Sequence, residues 1–235
     1  MITTNDYSYK DKKLVKQGKK KMDSTLMKLA DWIYNKYCVK VLNICYEKVG
    51  VAANSQRPRL EIVFEFKEEA EKFRSQENIN YDPIKQEEIK CKFIEINNAK
   101  KSKVLINFFA KNNKYKYDMI DLFVIFSAFE PIARSDANNR VTREEISELK
   151  NKYQDYSLWE ISKFFSATTF FFYTDYEVEL HKADGLIDDL KMDYLKVLKK
   201  YDEFDYINFG NFSIMLDSKE NFDKNYDSNW YYYYK

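Results

Sequence analysis

The chain has 235 residues, 39 Lys and Arg against 38 Asp and Glu, a net charge of +1, and an apolar fraction of 45%. That length and composition suit one ordinary domain or two small ones with a sizeable core, and exclude a disordered or membrane-embedded chain. Only four glycines are present, at 18, 50, 185 and 210. A phosphate-cradling loop needs glycines clustered so that backbone N–H groups can approach the ligand, so P-loop and Rossmann nucleotide sites are excluded.

The single His181 rules out a two-histidine metal site, and Cys38, Cys45 and Cys91 contain no C-x-x-C pair. No cofactor is therefore expected. Three cysteines, a polar start (MITTNDYSYKDKK) and no apolar run near 18 residues give the expectation of a cytoplasmic protein without a membrane partner.

Residues 1–23 read as a basic polar leader, with seven lysines and one aspartate between Lys10 and Lys21. Ser24 reads as an N-cap before Leu26, Leu29, Ala30, Ile33 and Tyr37, whose spacing gives a helix over 24–37. Strands are expected over 39–47 and over 59–66, the latter RLEIVFEF after Pro58, with a short helix over 67–74 and a further strand over 89–96 (IKCKFIEI). These make an N-terminal α+β unit over 24–110, closed by a strand at 104–109.

The segment 111–167 reads as a helical middle. Residues 117–129 are apolar around much of a helical circumference, ending near Pro131. Thr142 with Glu145, and Ser157 with Glu160, have capping-box spacing and predict helices to about 153 and 166.

The last third, 168–235, predicts strands at 168–174, 204–208, 211–217 and 229–234 (NWYYYY), with an amphipathic helix over 186–201 and a shorter one over 218–226. The order β-α-β-β-α-β resembles the ferredoxin-like fold, which implies two helices on one face of a four-stranded antiparallel sheet. Setting 60–73 (LEIVFEFKEEAEKF) against 212–225 (FSIMLDSKENFDKN) gives four identities in fourteen, which fit either a divergent duplicate of the N-terminal unit or the coincidence of a common lysine–glutamate helix start.

His181 is the one candidate general base, and a polar connection such as YEVELHKADG reads as surface. Six arginines stand among many lysines, and a guanidinium makes planar bidentate contacts. Arg57 and Arg59 flank Pro58, and Arg134, Arg140 and Arg143 flank a polar connection; these five are candidate recognition residues. The aromatics are unusually many, with 20 Tyr, 18 Phe and 3 Trp. In a terminal strand, Trp230, Tyr232 and Tyr234 share one face and complete the candidate set.

The resulting expectation is a non-enzymatic protein that binds another protein, in its concrete form an immunity-type inhibitor that occludes a bacterial toxin or effector. The alternative is nucleic-acid binding through the Lys10–Lys21 arm and the aromatic strands.

Overall fold

A computed structural model describes residues 7–50, 56–77, 80–104 and 117–235. It is of mixed α+β class and divides into two compact units, 1–130 and 131–235.

The N-terminal unit begins with helices α1 (Tyr7–Lys16) and α2 (Ser24–Tyr37), followed by strands β1 (Val41–Val49) and β2 (Arg57–Phe64). A short helix α3 (Lys67–Glu71), the long helix α4 (Pro83–Val104) and strand β3 (Phe123–Ala128) complete it. The sheet order is β1-β2-β3, with β1 antiparallel and β3 parallel to β2. Strand alternation sends Ile44, Leu60, Ile62, Phe64, Val124 and Phe126 to one face, where they form a core with Leu29 and Ile33 of α2 and Ile89 and Phe93 of α4. Asn43, Cys45, Glu61, Val63 and Ser127 alternate to the opposite face.

The C-terminal unit contains α5 (Glu130–Arg140), α6 (Arg143–Lys152), a 3-10 turn (Gln154–Tyr156), β4 (Leu158–Phe164) and β5 (Ala167–Phe172). Helices α7 (Asp175–Ala183) and α8 (Leu186–Lys199), strand β6 (Met215–Ser218), and helices α9 (Lys219–Tyr226) and α10 (Trp230–Tyr233) follow. Its sheet order is β4-β5-β6, again with one antiparallel and one parallel pairing around a central strand.

The two units share their connectivity in detail. Each has two helices, an antiparallel hairpin, two more helices and a third strand laid parallel to the second. Both first strands slip register at the same place, between Val41 and Asn43 opposite Phe64/Val63 and between Leu158 and Glu160 opposite Phe172/Phe171. At each slip the side-chain oxygen of Asn43 or Glu160 accepts from the next N–H, at 3.0 and 2.9 Å. After each central strand a glutamate closes the helix start, Glu69 accepting from Phe66 N and Glu177 from Thr174 N. The structural counterpart of 60–73 is therefore 168–181; the segment 212–225, aligned with it by sequence, occupies the third-strand position instead.

Helix α2, the strands over 41–49 and 57–64, and the helices α6, α8 and α9 agree with the sequence reading, except that Asp23 rather than Ser24 caps α2, its Oδ1 accepting from Thr25 N. Several elements are corrected. The strand expected at 89–96 is helical, because Asp82 caps α4 by accepting from Ile84 N and Lys85 N at 3.0 and 3.2 Å, and Pro83 opens it. Ile89 and Phe93, four residues apart, then face the core. Of the strand expected at 104–109, Val104 ends α4, and 105–109 lie outside the described residues. The helix expected over 117–129 is β3: an apolar run that includes Val124 and Phe126 also satisfies a strand that carries chain on both faces. Ser157 is left-handed (φ 62°) and opens β4 rather than a helix.

The C-terminal unit does not build the four-stranded ferredoxin-like order. Residues 204–208 are irregular because Asp202 accepts from Tyr206 N and Ile207 N, curling the chain back. The expected strand over 229–234 is instead the helix Trp230–Tyr233, because Asn229 Oδ1 caps it by accepting from Tyr231 N at 2.9 Å.

Candidate recognition surface

The aromatic residues of α9 and α10 lie on the sheet face opposite the α7–α8 core. Phe171 reaches through that face to Phe222 at 6.2 Å, Trp230 at 5.3 Å and Tyr233 at 5.2 Å. A row of near-parallel rings runs along it. Trp159 stacks on Trp230 (6.2 Å, 8°), Trp230 on Tyr234 (6.0 Å, 17°) and Tyr234 on Phe164 (4.4 Å, 12°).

Two hydroxyls tie the row down. Tyr233 OH donates to Asp217 Oδ2 and Tyr234 OH donates to Ser162 Oγ, each at 2.6 Å. Burial and the Asp217 hydrogen bond raise the Tyr233 phenol above its ordinary range, so it remains a neutral donor. Phe164, Phe165 and Trp230 remain partly exposed at the edge, with Tyr231 67% and Tyr232 50% exposed beside them. Of the three aromatic candidates, Trp230 and Tyr234 are thus in the row, and Tyr232 is a projecting ring. Sequence reasoning missed Phe164, Phe165 and Trp159, whose places depend on β4 being a strand.

The arginines do not form one cluster. Arg57 lies 5.2 Å over the Phe123 ring, and Arg59 Nη2 contacts Glu47 at 2.5 Å. Arg134 Nη2 donates to the carbonyl of Asn211 at 2.5 Å, Arg140 lies 5.3 Å over the Tyr201 ring, and exposed Arg143 borders a groove with Lys150, Glu160 and Lys163. Arg59 and Arg134 thus serve contacts within their own units.

His181 is buried in α7, not at the surface. Its Nδ1 is 2.8 Å from Asp184 Oδ2 and its ring lies 4.6 Å from Phe172. Backbone and His181 hydrogen bonds hold the Asp184 carboxyl below its ordinary pKa. The Lys10–Lys21 stretch is not a bare leader: Lys12 pairs with Glu61, Lys16 with Glu65 and Lys20 with Asp11. Cys45 is half-buried, and burial pushes its thiol up to about 12.

Among the described residues, no helix is long and apolar enough to cross a membrane, and no three His, Cys, Asp or Glu side chains are placed to hold a metal ion. No family model, curated protein or solved structure matches the chain.

Proposed function

We propose that the chain is a non-enzymatic, cytoplasmic protein-recognition module, in its concrete form an immunity-type inhibitor that seats on a bacterial toxin or effector and occludes it. One observation carries this reading: the α10 edge presents rings fixed from below by stacking and by tyrosine hydrogen bonds, with Trp230, Tyr231, Tyr232, Phe164 and Phe165 open to solvent. Rings already immobilised lose little entropy on binding, and tyrosine adds a polar tip to a large apolar body. The shared connectivity, register slip and helix caps of the two units support reading them as copies of one module. The nucleic-acid alternative draws less support, because Lys12, Lys16 and Lys20 are engaged by carboxylates of their own unit.

The test is affinity purification from the native host of the parent chain and of a Tyr231→Ser/Tyr232→Ser variant, with mass spectrometry and 260 nm absorbance on each eluate. A stoichiometric protein held by the parent and lost by the variant is expected. Equal retention by both would remove α10 from the reading, and nuclease-sensitive material that leaves with salt would replace it with the nucleic-acid one.

A further inference from the structure

The two sheets are covered differently on the face away from their cores. In the C-terminal unit that face carries Phe171 and is closed by the aromatic residues of α9 and α10. In the N-terminal unit it carries Asn43, Cys45, Glu61 and Ser127 with the buried Val63 among them, and α1 packs against it. Among the described side chains of α1, the buried hydrophobic one is Tyr9, stacked on Phe129 at 5.6 Å.

At the centre of the contact, Lys12 Nζ donates to Glu61 Oε1 at 2.7 Å with both side chains 0% exposed, and Ser127 Oγ donates to the same oxygen at 2.5 Å. The other carboxylate oxygen, Oε2, is buried with no hydrogen-bond partner among the described residues. Such a pair adds little net stability over an apolar packing, because desolvation offsets the Coulomb attraction, but removing one partner leaves a buried charge uncompensated. The helix is thus held at its centre by this buried pair, with the Tyr9–Phe129 stack and the Lys16–Glu65 ion pair on either side of it.

Beside it, a cleft of about 610 Å³ runs between α1 and β1, lined by Ser8, Asp11 and Val15 on one side and Asn43, Cys45 and Glu47 on the other.

We propose that α1 is a detachable strap, latched to the N-terminal sheet by the Lys12–Glu61 pair, that opens without unfolding the unit and uncovers the polar face bearing Cys45, Glu61 and Ser127. The core that holds the unit together lies on the opposite face, between the sheet and α2 and α4, and no described α1 side chain belongs to it.

Cys45 reports this opening. In the full chain with Cys38→Ser and Cys91→Ser, which remove the two exposed thiols, labelling of Cys45 by an aromatic disulfide is followed at increasing sub-denaturing urea. The strap predicts slow labelling whose rate depends weakly on urea, because little surface is exposed on opening. Lys12→Met, which strands the Glu61 charge, should speed labelling at least tenfold. Lys12→Met with Glu61→Gln, which removes both charges, should slow it back toward the parent. Labelling with the full urea dependence of global unfolding would show that α1 leaves only when the unit unfolds. Labelling as fast as that of the exposed cysteines, or unaltered by Lys12→Met in a folded protein, would show that the pair latches nothing.

Discussion

The ring of His181 packs 4.6 Å from that of Phe172, and nine residues separate them, as nine residues separate Phe73 from Phe64, whose rings also lie 4.6 Å apart in the other unit. The only imidazole of the chain therefore occupies a core position that its structural counterpart gives to phenylalanine, with Nδ1 turned to Asp184 at the helix end.

Replacing His181 by Phe should accordingly preserve the fold, with a melting temperature within about 3 °C of the parent, since the change keeps an aromatic ring at a position that holds phenylalanine in the other unit and loses one partly exposed contact. His181→Ala should cost about 2–4 kcal/mol through the cavity it leaves. Chemical denaturation of both variants checks this; equal losses would mean that the Asp184 contact, not the ring, holds the site.

Asn138 is the polar hub of the C-terminal unit. Its Nδ2 donates to the carbonyls of Phe165 and Ala167 at 2.9 and 3.1 Å, and its Oδ1 accepts from Thr168 Oγ1 and Tyr194 OH at 3.2 and 2.7 Å. Asn138→Leu removes all four of these hydrogen bonds and should destabilise by about 3 kcal/mol or more, whereas Tyr194→Phe, which removes one hydroxyl, should cost about 1 kcal/mol. Urea denaturation of the two variants separates a hub from an ordinary hydrogen bond.

Ending the chain at Asn229 removes Trp230, Tyr233 and Tyr234 and bares Phe222, Phe171 and Trp159. The melting temperature should fall by about 5 °C or more, with loss of near-ultraviolet circular dichroism from the stacked rings. An unchanged melting curve would show that α10 adds nothing to the unit.

Asp193 provides a pH test. Burial pushes its carboxyl upward, but hydrogen bonds from Lys152, Lys196 and Tyr153 outweigh that and hold it down at about 2. A folded-state pKa below the unfolded one contributes stability above pH 4 and loses it as the pH falls from about 4 toward 2. Asp193→Asn should thus be less stable than the parent at pH 6 by about 2 kcal/mol, with the difference closing near pH 2. Urea midpoints of the two proteins across that range measure it, and a gap independent of pH would assign the loss to packing.

What the sequence by itself determined was local. The α2 face, the β2 run after Pro58, the Thr142/Glu145 cap and the amphipathic α8 are each specified by residues within a few positions of one another, and each formed where its pattern placed it. The aromatic count pointed to the C-terminal edge, although the rings reach it from a helix capped by Asn229 and not from a strand.

Tertiary structure decided the rest. An apolar run such as 123–128 fits a buried helix or a strand equally well, and it became β3 because β2 offered a free edge for parallel pairing. Likewise, 158–164 became β4 by pairing with β5 despite a capping-box spacing at its start. The Lys12–Glu61 pair joins residues 49 apart, and the Trp159–Trp230 stack joins residues farther apart still. Such contacts are invisible to periodicity, because their energy exists only once the chain has brought distant burial, charge and strand edges to one place.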